Sequence, residues 1–99
     1  MMIAAVGSDA FILGFRLAGI DNVFSAKPEN IEATIRSAIN ADKFGILIVH
    51  EEEVKTVSDA MKETMLRSIK PVIIKIGGEE EELRNKVKAA IGVDLFASS

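Results

Sequence analysis

Continuous apolar runs alternate along this chain with stretches in which apolar residues recur every three or four positions, and the alternation repeats four times. Met2 to Val6 is an unbroken apolar run that Gly7 ends. Ser8 or Asp9 then suits a helix N-cap, because their side-chain oxygens accept from free amide groups in the first turn. The pattern predicts a helix from about Asp9 to Ala18, with Gly19 as its C-terminal stop. Val23-Phe24 is a short candidate strand. Pro28 suits the first turn of a second helix, where no amide donor is needed, and Ile31, Ile35 and Ile39 follow at spacing four as one buried stripe. Phe44-Gly45-Ile46-Leu47-Ile48-Val49 reads as a strand apolar on both faces, as a strand covered by helices on both sides must be. Val54, Val57, Met61, Met65 and Leu66 return to helical spacing, with Met61 and Met65 expected in the core or at its edge. Pro71 to Ile76 is a fourth strand, with Pro71 at its tolerant first position. After Gly77-Gly78, a helix is predicted over about 79–91, with Leu83, Val87 and Ile91 at spacing four. Its first turn holds Glu79 to Glu82 and its later turns Lys86 and Lys88, in accord with the helix dipole.

Strands separated by helices cannot close as hairpins and pair in parallel through right-handed crossovers. The expected fold is therefore a three-layer α/β domain with a four-stranded parallel sheet, order 2-1-3-4. Ninety-nine residues suffice for one such domain and not for two.

Composition narrows the function. A net charge of −3, with acids and bases interspersed, argues against a nucleic-acid binder, which needs a basic face to displace counterions. Trp and Tyr are absent, which leaves base stacking to five Phe, several of them in core-like runs. With no Cys, disulfides, thiolate metal sites and Cys nucleophiles are excluded. The apolar start Met1 to Val6 has no basic lead-in and is not expected to be a signal peptide. No apolar run approaches the ~20 residues that span a bilayer, so membrane association is expected to be indirect.

Ligands of this fold class bind at the carboxyl edge of the strands. There the chain places Gly7-Ser8-Asp9, Ser25-Ala26-Lys27, His50-Glu51-Glu52-Glu53 and Gly77-Gly78-Glu79. Gly7 to Gly14 lacks both G-x-G-x-x-G and a Gly-Lys-Ser/Thr ending, so it reads as a tight turn and helix cap. Asp9 stands alone where a phosphoacceptor pocket needs an acidic pair, and His50 occupies the place of that pocket's Asp. His50, the only histidine, could accept a phosphoryl group, bind metal or act as a base. The adjacent Glu51, Glu52 and Glu53 open a helix and point in different directions, a thin metal site, so His50 reads better as a polar strand-end or partner-contact residue. Two features stay unexplained by a folded monomer. The first helix carries Phe11, Ile12, Leu13, Phe15, Leu17 and Ala18, too many apolar residues for one face, with Arg16 among them. The tail after Gly92 carries Val93, Leu95 and Phe96, which need a surface to dock on. Both point to a protein–protein interface.

The same two features carry a family resemblance. Gly14-Phe15-Arg16-Leu17-Ala18-Gly19-Ile20, after a first strand, resembles the G-F-R-L-A-G-I/V motif of the F subunit of A-type and V-type rotary ATPases. Ile91-Gly92-Val93-Asp94-Leu95 resembles that family's terminal I-G-F-D-I-like segment, with Val93 where Phe is often found and a short tail, Ala97-Ser98-Ser99, beyond. The Phe44 to Val49 strand with its acidic sequel and the Pro71 to Ile76 strand fall in matching order, so the resemblance covers essentially the whole chain. It implies a Rossmann-like domain over 1–99, in which a hinge at Gly77-Gly78 would let the C-terminal helix and tail move onto a partner. It further implies a non-catalytic central-stalk subunit without cofactor or metal, paired with the coiled-coil D subunit and able to meet the ring of A and B subunits. Such a subunit is cytoplasmic, peripheral to the membrane, and helps couple ATP turnover to proton or sodium transport. The interface residues expected on this reading are Phe15, Arg16, Leu17, His50, Leu83, Val87, Ile91, Val93, Leu95 and Phe96. The competing expectation is a phosphocarrier or small-ligand sensor built on His50 or on the Gly7 to Asp9 turn.

Overall fold

The computed structural model describes residues 2–77. Within them lie β1 (Ile3–Gly7), α1 (Asp9–Leu17), β2 (Asn22–Ser25), α2 (Ile31–Asn40), β3 (Ile46–His50), α3 (Asp59–Arg67) and β4 (Val72–Ile76), with a single 3₁₀ turn at Glu53–Thr56. The four strands form one parallel sheet in the order β2-β1-β3-β4, as the alternation of periods predicts. The helix predicted over 79–91 and the tail lie outside the described residues.

Sheet parity sorts the side chains. Ala4 and Val6 of β1 and Leu47 and Val49 of β3 join Ile31, Ile35 and Ala38 of α2 and Met61 and Met65 of α3 in one buried cluster. Phe44, just before β3, completes that core and meets Phe24 edge-on at 5.8 Å between ring centroids. The opposite face carries Ala5, Ile48, His50, Val72, Ile74 and Ile76. There α1 packs over β1 and β2, burying Ile12. Beyond α1, Val72, Ile74 and Ile76 of the edge strand remain 49%, 40% and 39% exposed.

The helix ends follow local chemistry. Ser8 caps α1, its hydroxyl accepting from the Phe11 N–H. At the other end the Gly19 N–H donates to Arg16 O and the Ile20 N–H to Phe15 O, both at 3.0–3.1 Å. This is a Schellman cap, with Gly19 at φ 99° in the left-handed region that glycine tolerates.

The structure revises three expectations. Pro28 does not open α2. It is the second residue of a β-turn closed by the Asn30 N–H on Lys27 O at 3.0 Å, a position that its fixed φ suits, and α2 starts at Ile31. The stripe from Val54 to Leu66 is not one helix. Val57 is extended (ψ 159°), and Ser58 restarts the chain as the cap of α3, its hydroxyl accepting from Met61 N–H at 3.1 Å. Leu66 then faces solvent, 76% exposed. The third strand runs from Ile46 to His50, two residues later than Phe44, whose ring is needed in the core.

Candidate functional site

The carboxyl edge of the sheet is tied together by Glu53. Its Oε1 accepts from the Ser8 backbone N–H at 2.7 Å and its Oε2 from the Ser8 hydroxyl at 2.9 Å. Because Ser8 also caps α1, this carboxylate fixes the start of α1 to the loop after β3, 45 residues away. An acid at a helix N-terminus is further favoured by the dipole. The same device recurs on α3, where Glu32 of α2 accepts from the Ser58 N–H at 2.7 Å and from its hydroxyl at 3.0 Å. The Ser58 backbone N–H, then its hydroxyl, hold the Glu32 carboxyl below its ordinary value; Arg36 adds to this and partial desolvation opposes it.

His50 ends β3 on the α1 face. Its ring meets the Phe11 ring edge-on, 5.1 Å between centroids, and Phe11 in turn meets Phe15 at 5.0 Å. Gly77 closes the other side: a Cβ there would lie 2.8 Å from His50 Nε2, and its φ of 115° already demands glycine. His50 Nδ1 is buried without a hydrogen-bond partner among the described residues, 4.0 Å from Glu53 Oε2 and beyond bonding distance. Glu53 binds Ser8 through both oxygens, and among the described residues His50 makes no hydrogen bond to a carboxylate. Asp9 accepts from the Ser25 hydroxyl. Among the described residues no group of three or more His, Cys, Asp or Glu could hold a metal ion.

A cleft of ≈ 270 Å³ opens beside Glu53, walled by Ser8, Ala26, Ile31 and Thr56. It lies at the switch point between β1 and β3, where this fold class places ligands. His50 is not among its walls.

Of the residues expected at an interface, the structure brings Phe15 and His50 together through Phe11. Both are half-buried and belong to the packing of α1 on the sheet. Arg16 and Leu17 sit on the outside of α1, with Leu17 79% exposed. Leu83, Val87, Ile91, Val93, Leu95 and Phe96 lie outside the described residues. The pairing of Glu53 with Ser8 escapes sequence reasoning, since a contact across 45 residues leaves no mark in local spacing. Leu13 is legible in the sequence only as part of the apolar density of the first helix, yet it is 50% exposed beside Leu17.

The comparisons with known proteins agree with one another. A family model described as ATP synthase (F/14-kDa) subunit matches residues 3–91. The chain is 35% identical over 98 residues to the F subunit of the A-type ATP synthase of Methanococcoides burtonii and 39% identical over 98 residues to that of Methanocella arvoryzae. Each alignment covers 97% of this chain and 99% of the relative. The crystal structure of the F subunit of the V-type ATP synthase of Archaeoglobus fulgidus superposes with a TM-score of 0.71 at 26% identity, over 77% of this chain and 96% of that one. With a model matched along nearly its whole length and relatives above one-third identity, the chain belongs to the family of ATP synthase (F/14-kDa) subunits.

Proposed function

We propose that this chain is a non-catalytic subunit of the central stalk of an A/V-type ATP synthase. It binds the coiled-coil D subunit and helps couple ATP turnover on other subunits to proton or sodium transport. The observation that carries this reading is the family match over residues 3–91 together with an α1 that is apolar beyond what the sheet can bury. A helix apolar on several faces belongs between two partners. The sheet is one of them, and the stalk supplies the other.

On this reading Arg16 and Leu17 are contact residues, and Phe15 and His50 support α1 from beneath. The C-terminal residues Leu83, Val87, Ile91, Val93, Leu95 and Phe96 add contacts to the D subunit or to the ring of A and B subunits. Residues 1–99 act as one domain whose C-terminal helix can change partners. Hydrogen exchange tests this last point: protection over 79–91 equal to that of β3 in the isolated chain would refute it. Among the described residues no helix is long and apolar enough to cross a membrane; attachment to the membrane, on the cytoplasmic side, comes through the complex.

Co-expression with the D subunit of the same genome, followed by size exclusion with mass determination, tests the assignment. A stable one-to-one complex is expected. A folded D subunit that elutes alone would overturn the stalk assignment.

A further inference from the structure

Strand alternation sends Leu47 and Val49 of β3 into the core and His50 to the α1 face. There Phe11 meets its ring edge-on. On the other side Gly77 lies so close that a Cβ would come within 2.8 Å of Nε2, 3.1 Å of Cδ2 and 3.3 Å of Cε1. The ring is thus held in a slot between the first turn of α1 and the end of β4. Its Nδ1 is buried and unpartnered among the described residues, 4.0 Å from Glu53 Oε2. Phe11 from α1 and Gly77 from the end of β4 bring no titratable group to the ring; the 3₁₀ turn brings the Glu53 carboxylate. The side chains of His50 and Glu53 are 29% and 26% exposed. That is open enough to exchange a proton with water and closed enough to limit the screening of a charge pair.

We propose that His50 is a pH-operated latch on α1: when the imidazole takes a proton from solvent, Nδ1–H donates to Glu53 Oε2 and joins β3 to the carboxylate that holds the cap of α1. A charge-assisted N–H···O bond is about 2.8 Å long, so a movement of roughly 1 Å by the flexible end of Glu53 closes the gap. The Ser8 hydroxyl, 2.9 Å from the same oxygen, keeps its bond, because a carboxylate oxygen accepts from two donors. Closing the latch gives the buried nitrogen the partner it lacks. The neutral ring has no charge to draw the carboxylate, and the gap stays open. The sign follows. A bond made by the imidazolium adds stability in acid and loses it as pH rises through the histidine range, about 6.5 for an ordinary imidazole. His50 is the only histidine, so no second imidazole titrates there. The firmness with which the first turn of α1 is seated on the sheet then follows pH. The latch belongs to the domain itself and does not depend on the stalk assignment.

The test uses the intact chain, by NMR and by urea unfolding, between about pH 5.5 and 7.5, above the ordinary carboxylate range. The His50 Cε1–H signal, the Glu53 carboxyl carbon and the Ser8 and Phe11 amides are expected to titrate with one midpoint. From the upper pH to the lower, the folding equilibrium constant of the parent is expected to rise about three- to tenfold relative to a His50→Gln chain, the range of a charge-assisted bond at a partly exposed site. Glu53→Gln keeps an acceptor for Ser8 without the charge. It is expected to remove that gain and to flatten the titration of the Ser8 amide while His50 itself still titrates. Should His50→Gln fail to fold, the parent and Glu53→Gln decide between them. An equal pH response in the two overturns the latch, as does a His50 titration that leaves the Glu53 carbon and the Ser8 amide unmoved. A response of opposite sign, the parent losing stability in acid against Glu53→Gln, also overturns it, since burial between Phe11 and Gly77 would then oppose the charged ring more than Glu53 favours it.

Discussion

Gly7→Ala probes the junction on which the carboxyl edge depends. A Cβ at this position would come within 2.5 Å of Phe11 Cδ2 and 2.9 Å of Glu53 Oε1. The carboxylate is the end of a flexible side chain and can retreat, but only by giving up one or both of its bonds to Ser8. The Phe11 ring has less freedom, held edge-on between His50 and Phe15. Displacing a packed ring for one added methyl costs about 1–3 kcal/mol. Loss of a charge-assisted bond at a partly exposed site adds about 1 kcal/mol, towards the low end because water can replace it. A total near 3 kcal/mol is a large share of the stability of so small a domain. At about 4–8 °C per kcal/mol, the thermal midpoint should fall by roughly 12–24 °C. Urea unfolding followed by circular dichroism measures the change directly, and an unchanged m-value would show that the unfolded reference is the same. Repeating the substitution in a Phe11→Ala background should recover most of the loss, leaving only the Glu53 share. A Gly7→Ala chain within about 0.5 kcal/mol of the parent would refute the reasoning, since it would mean that neither ring nor carboxylate constrains the turn.

Three further outcomes follow from the same structure. Glu32 has a folded-state pKa below its unfolded value of about 4.5, so its clamp on Ser58 contributes stability above that value and loses it as pH falls through the lowered folded value. A Glu32→Gln chain should therefore show a shallower decline of urea stability with pH in the acid range, and an unchanged decline would place the lowered carboxyl elsewhere. Gly14→Ala, in open space within α1, should stabilise the isolated chain by up to about 1 kcal/mol in thermal unfolding; a loss would mean that α1 needs the glycine for its own packing. Leu47→Ala, at the centre of the buried cluster, should cost about 2–5 kcal/mol in urea unfolding, and a cost below 1 kcal/mol would mean that the core is not where β3, α2 and α3 place it.

The helix stop at Gly19, the cap at Ser8 and the order 2-1-3-4 all follow from signals a few residues long. Apolar spacing states whether a segment repeats every two residues or every 3.6, caps mark its ends, and the handedness of crossovers converts four strand–helix alternations into one parallel sheet. That the first helix is apolar on more than one side is legible for the same reason. Which side is left for a partner is not. Leu13 and Leu17 face out, and Phe11 and Phe15 face in, because α1 lies over β1 and β2 with Ile12 buried and Phe11 against His50, contacts that the helix pattern alone does not state. The split of the Val54 to Leu66 stripe at Val57-Ser58 is hidden because Val54 and Val57 before it and Met61 and Met65 after it are buried in the same core. Pro28 suits a β-turn and a helix start equally, and only the Lys27–Asn30 bond decides between them. The two carboxylate clamps, Glu53 on Ser8 and Glu32 on Ser58, join residues 45 and 26 positions apart. The sequence by itself determined the four strands, their parallel pairing and the surplus of apolar surface. Only the tertiary structure decided which stripe meets solvent and which acid holds which helix, because those choices depend on where the crossovers set distant segments side by side.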